Sequence, residues 1–302
     1  MNISDNRTEA QSLPAAFTMR ITVAPGDVGP ACELIASRAG LAKRRVKDAM
    51  CKGAVWLTGK RGGRHRLRKA TAQPVPGDVL ELYYDARLLA VKPPEARCLH
   101  DAGQYSIWLK PAGLLAQGTD YGDHCSLVRR VEAHFRLKRP VLPVHRLDRE
   151  AVGLMILAHT KTAAAKLSKL LQDQAIDKQY RVTVLGRLSR ERGEIDLPLD
   201  NKPAVTRYTL AVYDPISDTS VVEVSLKTGR LHQIRRHFAM LGHPVLGDPK
   251  YGVGNKNSTG MELVAYGLAF RCPFTRKEMR VSLDGQDGMG IPGYSAKETS
   301  RK

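Results

Sequence analysis

Residues 144–159 read Val-His-Arg-Leu-Asp-Arg-Glu-Ala-Val-Gly-Leu-Met-Ile-Leu-Ala-His, a charged turn running directly into an apolar stretch. Residues 153–159 read as a continuous apolar strand, with Asp148 just ahead of it between Arg146 and Arg149. Thr160 can then cap a helix over residues 161–174, whose Ala164, Leu167, Leu170 and Leu171 make one apolar face. Further on, Tyr180, Val182 and Val184 alternate as a strand, and Val222, Val224 and Leu226 do so again. Residues 232–241 read as a helix closed by Gly242. Strands outnumber helices and often follow one another directly, so the fold class expected is α+β with a mixed, largely antiparallel sheet.

This unit is expected to span residues 101–284. A polar tail, 285–302, and the first 18 residues are expected to be frayed. Residues 87–100, with Pro93-Pro94 among them, read as a linker. No internal repeat is visible.

The 302 residues carry 48 Lys and Arg against 30 Asp and Glu, a net charge of +18. Between Arg38 and Lys69 fall 12 lysines and arginines and a single acid, Asp48. More than half of the excess charge therefore lies in one short stretch, which reads as a surface for a polyanion. Residues 30–39 make a short helix, with Pro30 at its start and Gly40 as its stop. A second helix, 43–51, turns Val46 and Met50 inward and Lys43, Arg44 and Lys47 outward. Residues 54–58 and 79–83 read as strands, the second preceded by the turn Pro76-Gly77-Asp78. A basic helix alone is often just a solvated face. Here helix, loop and the scarcity of acids agree, so nucleic-acid binding is expected, falling steeply with salt.

Composition excludes several classes. No uninterrupted apolar stretch reaches spanning length, and the start MNISDNRTEAQSLPAAF lacks a basic flank followed by an apolar core, so neither a membrane anchor nor a secretory signal is expected. The five cysteines, Cys32, Cys51, Cys98, Cys125 and Cys272, form no CxxC pair, which points to free thiols in a reducing, cytoplasmic compartment. His145, Asp148, His232, His237 and His243 fit no zinc-hydrolase spacing. A P-loop fails because Arg61 stands where Ser or Thr is required.

Three segments could carry chemistry. Asp148, flanked by cations, reads as an ionised nucleophile or base, or as a surface acid in an ordinary ion pair. Tyr180 in Lys178-Gln179-Tyr180 reads as a core tyrosine, or as a ring that stacks on a base or exchanges a proton. In Lys227-Thr228-Gly229-Arg230-Leu231-His232-Gln233-Ile234-Arg235-Arg236, His232 and Arg235 can face one cleft while Ile234 and Phe238 face the core. The Gly/Pro-rich 242–252 reads as a structural loop.

Taken together, HRLDREAVGL, KQYRV, LKTGRLHQIRRH, GHPVLGDPKYG and the earlier LKPAGLLAQG resemble the RluA family of RNA pseudouridine synthases across residues 101–284. Two short helices, a basic second helix and a few strands over residues 19–86 resemble the S4 RNA-binding domain. The resemblance implies a pseudouridine synthase fold preceded by a small S4-like α/β unit. It implies that Asp148 is the catalytic carboxylate that breaks the uridine glycosidic bond and rejoins the ring through C5, by a covalent or a glycal route. Tyr180 would pack against the base and take part in proton transfer at C5, Arg235 would hold and ionise Asp148, and Arg146 would fill the space of the extruded nucleotide. Further RNA contacts are expected at Lys43, Arg44, Arg45, Lys47, Arg64, Arg66, Arg149, Arg230 and His232. The partner implied is ribosomal RNA or tRNA, with no metal, organic cofactor, membrane or obligate protein partner. Ala151-Val152 stand where the family usually has Thr-Ser, and Leu263-Val264-Ala265 and Cys272-Pro273 also depart from its pattern. The alternative is a non-catalytic RNA-binding or ribosome-assembly protein on the same fold.

Overall fold

The computed structural model describes residues 16–252, 255 and 259–283. It divides into two compact units, Met1–Pro93 with Gly118–Cys125, and Pro94–Gln117 with Ser126–Lys302. Residues 1–15 and 285–302, expected to be frayed, lie outside the described residues, as does residue 284, the expected end of the larger unit.

The first unit runs β1 (Phe17–Thr22), α1 (Ala31–Ala39), α2 (Lys43–Cys51), β2 (Val55–Thr58), β3 (Arg64–Arg66), β4 (Val79–Tyr84) and α3 (Ala86–Ala90). Its sheet has the order β1-β4-β2-β3. Val46, Ala49 and Met50 of α2 pack, fully buried, with Ala31, Cys32 and Ile35 of α1. Lys43, Arg44 and Lys47 remain exposed on the far side of α2, as the spacing requires. Strand β1 corrects one expectation: Phe17 and Thr18 are not frayed but paired with Tyr84 and Tyr83 of β4. Apolar Phe17, Met19 and Ile21 alternate with Thr18, Arg20 and Thr22, and the open edge of β4 supplies their backbone partners.

The second unit contains β5 (Arg97–Asp101), β6 (Tyr105–Lys110), α4 (Leu127–His134), β7 (Leu142–Pro143), β8 (Val152–Ala158), α5 (Lys161–Gln172), β9 (Ile176–Leu185), β10 (Arg192–Asp196), β11 (Val205–Asp214), β12 (Thr219–Leu226), α6 (Gln233–Met240), β13 (Leu263–Arg271) and β14 (Glu278–Ser282). Among the described residues its sheet runs β10-β11-β12-β9-β13-β8-β6-β5, with β14 on β13 and β7 on β8. The linker expectation is corrected here. Asp85 caps α3 by accepting from the N–H groups of Arg87 and Leu88, and β5 begins three residues after Pro94 and pairs with β6. Proline dominates the reading of that stretch, yet the ladder offered by β6 makes a strand of its second half.

Strand β8 is buried along its whole length. Met155 and Leu157 enter one core with Trp108, Tyr180 and Phe238, and Leu154 and Ile156 enter another with Tyr105, Leu167 and Tyr266. An apolar run without alternation is what a strand covered on both faces requires. The Thr160 side chain accepts from Ala163 N–H at 3.0 Å and starts α5. That helix stops at Gln172, two residues early, because Gln174 adopts a left-handed φ of 56°. The β8–β13 contact, Val264 with Val152 and Ala265 with Gly153, is parallel, whereas the other pairings of the sheet are antiparallel. It depends on Gly153, whose φ is 140° and where a Cβ would lie 2.4 Å from the carbonyl oxygen of Ala265.

Candidate active site

Asp148 sits on the loop between β7 and β8, and that loop is pinned from three directions. The N–H of Ile156 in β8 donates to Nε2 of His145 at 3.0 Å. The N–H of Gly113 donates to the carbonyl of Arg149 at 2.8 Å. The Lys110 ammonium donates to the carbonyls of Leu114, Pro111 and Arg149 at 2.8, 2.9 and 3.3 Å. Burial lowers the His145 pKa to about 3, helped by Lys178, so the ring stays neutral and can accept. Burial also pulls Lys110 down to about 7, against the charges of Glu150 and Asp148.

The cation that holds Asp148 is Arg235 on α6. Its Nη1 donates to Asp148 Oδ2 at 2.9 Å, while Nε and Nη2 donate to the two oxygens of Asp248 at 2.8 Å each. Arg235 is 2% exposed and Asp248 is fully buried. Burial works against the charged guanidinium, but the hydrogen bonds to Asp248 and Asp148 outweigh it, and its pKa is raised. Burial likewise works against an ionised Asp248; Arg235 and the N–H groups of Tyr251 and Lys250 win, and its pKa is lowered. Asp248 thus fixes the guanidinium plane and leaves Nη1 aimed at Asp148.

A cleft opens over this pair, lined among others by Arg146, Tyr180, Arg230, His232 and Leu263. The ring of Tyr180 belongs to the core and also walls the cleft. Burial and the charge of Asp148 raise its phenol pKa, so it remains protonated. His232 precedes α6 in a left-handed conformation, φ 52°. Its Nε2 lies 3.7 Å from Asp148 Oδ1, and its Nδ1 is 2.9 Å from the hydroxyl of Tyr251. Gln233 ties the preceding turn to β11: its amide accepts from Thr228 and Arg230 and donates to Val205 and Thr206.

The residues expected to bind RNA divide into two groups. Arg146 is exposed at the cleft, and the side chains of Arg44 and Lys47 are exposed on α2; Lys43 pairs with Glu33 at 2.9 Å. Arg149 is exposed while its carbonyl anchors the loop. Arg64 and Arg66 have internal partners instead. Arg64 pairs with Glu81 at 2.8 Å and Asp120 at 2.9 Å, and Arg66 donates to Thr119 and Gly53 and pairs with Asp123. Both guanidinium groups lie over Trp56, at 4.0 and 4.2 Å. Sequence reasoning missed Lys110, Asp248 and Tyr251. Each lies within a motif that carries the family resemblance, but Pro and Gly neighbours make those segments read as turns.

Among the described residues no group of three or more His, Cys, Asp or Glu side chains could hold a metal ion. The site offers one carboxylate, an arginine that keeps it oriented, a flat aromatic wall and a rim of cations. That set suits a small planar group carried on a polyanion.

Comparison with known proteins agrees. The RNA pseudouridylate synthase family profile matches residues 104–240. The dual-specificity RNA pseudouridine synthase RluA of Pasteurella multocida is 31% identical over 202 residues, 61% of this chain and 90% of that protein. The ribosomal large subunit pseudouridine synthase D of Zymomonas mobilis is 32% identical over 201 residues, 61% of this chain and 58% of that protein. The solved structure of human RNA pseudouridylate synthase domain containing 1 shares the fold, with a TM-score of 0.53 and 22% identity over 64% of this chain and 85% of that one. The second unit is thus the catalytic fold of an RNA-modifying isomerase. The chain belongs to the RNA pseudouridine synthase family, and its reaction converts uridine in RNA to pseudouridine.

Proposed function

We propose that Asp148 is the carboxylate that acts at C1′ of the target uridine, in ribosomal RNA or tRNA. The 2.9 Å contact between Asp148 and the buried Arg235, at the floor of a cleft walled by Tyr180, carries this reading. Arg235 keeps Asp148 negative and aimed, so that positive charge developing at C1′ as the N1–C1′ bond breaks meets a fixed anion. Tyr180 packs against the uracil ring. The uridine leaves its stack to enter, which costs a few kcal/mol, offset by contacts in the cleft and along the backbone, and Arg146 fills the vacated space. The first unit acts as an S4-like RNA-binding module through Lys43, Arg44, Arg45 and Lys47 of α2, whose charge steers the polyanion. A relative named for the large ribosomal subunit supports the ribosomal alternative. A substrate of this kind supports a cytoplasmic location. The non-catalytic alternative is weakened by Asp148, Arg235 and Tyr180 standing assembled around one cleft. Mapping pseudouridine in total RNA from cells with and without the gene identifies the substrate: at least one uridine is expected to remain unmodified without it, and unchanged maps would overturn the reading.

A further inference from the structure

Isomerisation of uridine moves one proton as well as one bond. The N1–C1′ bond breaks with its electron pair going to the ring. C5 then attacks C1′, leaving C5 tetrahedral with its hydrogen still attached and a double bond between N1 and C6. The C5 proton must next leave, its electron pair restoring the C5–C6 double bond while N1 takes up a proton. Some group in the cleft has to accept the proton from C5.

Few side chains there can do so. Arg146, Arg230 and Arg235 are cations without a lone pair to offer. Gln233 is not basic, and both ends of its amide are occupied by Thr228, Arg230, Val205 and Thr206. Tyr180 is a phenol whose ionisation is opposed by burial and by Asp148. Among the described residues lining the cleft, this leaves Asp148 and His232. One carboxylate already has a task at C1′, with Oδ2 held by Arg235.

His232 is positioned for the second task. It holds a left-handed backbone conformation, φ 52° and ψ 32°, uncommon outside glycine and frequent where a site dictates geometry. That turn presents Nε2 on the Oδ1 side of Asp148, 3.7 Å away. The Nδ1–H donates to the Tyr251 hydroxyl, 2.9 Å away, which leaves the lone pair on Nε2, and an edge contact with ring centroids 5.7 Å apart also fixes the ring. Tyr251 is itself anchored, its N–H donating to Asp248 at 3.0 Å. Resting on the role of Asp148 given above, we propose that His232 is a second catalytic group, which accepts the C5 proton at Nε2 while Tyr251 holds its ring. His232 then returns the proton to solvent as N1 takes one up, so charge and atoms balance.

The charges facing His232 are Asp148 and Glu150, which favour its protonated form, and Arg235 and Lys250, which oppose it; with burial leading, the net shift is downward, so the ring is a free base at neutral pH. The test uses the full-length protein and the RNA found by mapping, transcribed with 5-deuterated uridine. His232→Gly suits the left-handed backbone and should slow single-turnover conversion by about 100-fold. It should also make the rate sensitive to deuterium at C5, regain rate with added imidazole, and lose the acid limb of the pH profile. Tyr251→Phe should slow conversion less and shift that limb without abolishing it. A rate equal to wild type, or a slower rate with no isotope effect and no imidazole rescue, would overturn the proposal. Asp148→Asn serves as the separate control: product from that variant would remove the role of Asp148, whereas the isotope effect in His232→Gly reads the proton step alone.

Discussion

Arg235 hydrogen-bonds two carboxylates, Asp148 and Asp248, with Glu150 3.7 Å from Nη1, and this sharing decides how the site responds to pH. The pKa of Asp248 is lower folded than unfolded, so its pairing contributes fully above the unfolded value of about 4 and is lost as pH falls through the folded value. Urea denaturation at several pH values should therefore show wild-type stability dropping steeply below about pH 4. Asp248→Asn should lack that acid-dependent portion and lose about 3 kcal/mol at neutral pH, because Arg235 then keeps a buried charge without its one fully buried anionic partner. Parallel pH curves for the two proteins would contradict this. The proximity of Asp148, Arg235 and Tyr180 follows from the family resemblance of their motifs taken together, since each residue alone reads equally as a surface ion pair, a helix-face cation or a core ring. Asp248 was not legible in the sequence, since Gly247-Asp248-Pro249 is also good turn chemistry and nothing local reveals that its carboxylate is buried against the Arg235 side chain of α6.

Strand β8 carries the Asp148 loop at its start, and its place in the sheet is fixed where Gly153 meets Ala265. Gly153→Ala would force a Cβ into the backbone of β13 at a φ that L side chains rarely adopt. It should cost about 3 kcal/mol or more, read as a lowered thermal midpoint, and should displace Asp148 from Arg235 and so reduce turnover in protein that remains folded. An unchanged midpoint would show that the two strands can part without penalty. At this scale the sequence was readable wherever pattern and burial coincide, as in β8, α2 and α5. It misled where pairing rather than pattern makes the strand: β5 follows two prolines, yet β6 supplies its ladder. Helix α5 ends early for a backbone reason, the left-handed Gln174, that periodicity does not contain.

The charge of the whole molecule is unevenly used. Arg64 and Arg66, expected to meet RNA, are satisfied by Glu81, Asp120 and Asp123, acids that the sequence places far from them. The membership of Gly118–Cys125 in the first unit was not legible in the sequence, because composition does not change there. Replacing Lys43, Arg44, Arg45 and Lys47 by Gln should flatten the dependence of log affinity on log salt by about 0.7–0.9 for each phosphate that is no longer neutralised. Arg64→Gln should change stability and leave that slope alone; equal slopes for wild type and the α2 variant would remove α2 from the RNA surface. The central claim is that Asp148 performs the chemistry without carrying the binding. Single-turnover assays of wild type and Asp148→Asn on the mapped RNA, with affinity measured on the same preparations, test it most directly. The variant should bind RNA as tightly as wild type and form no pseudouridine; pseudouridine formed at the wild-type rate would contradict the account.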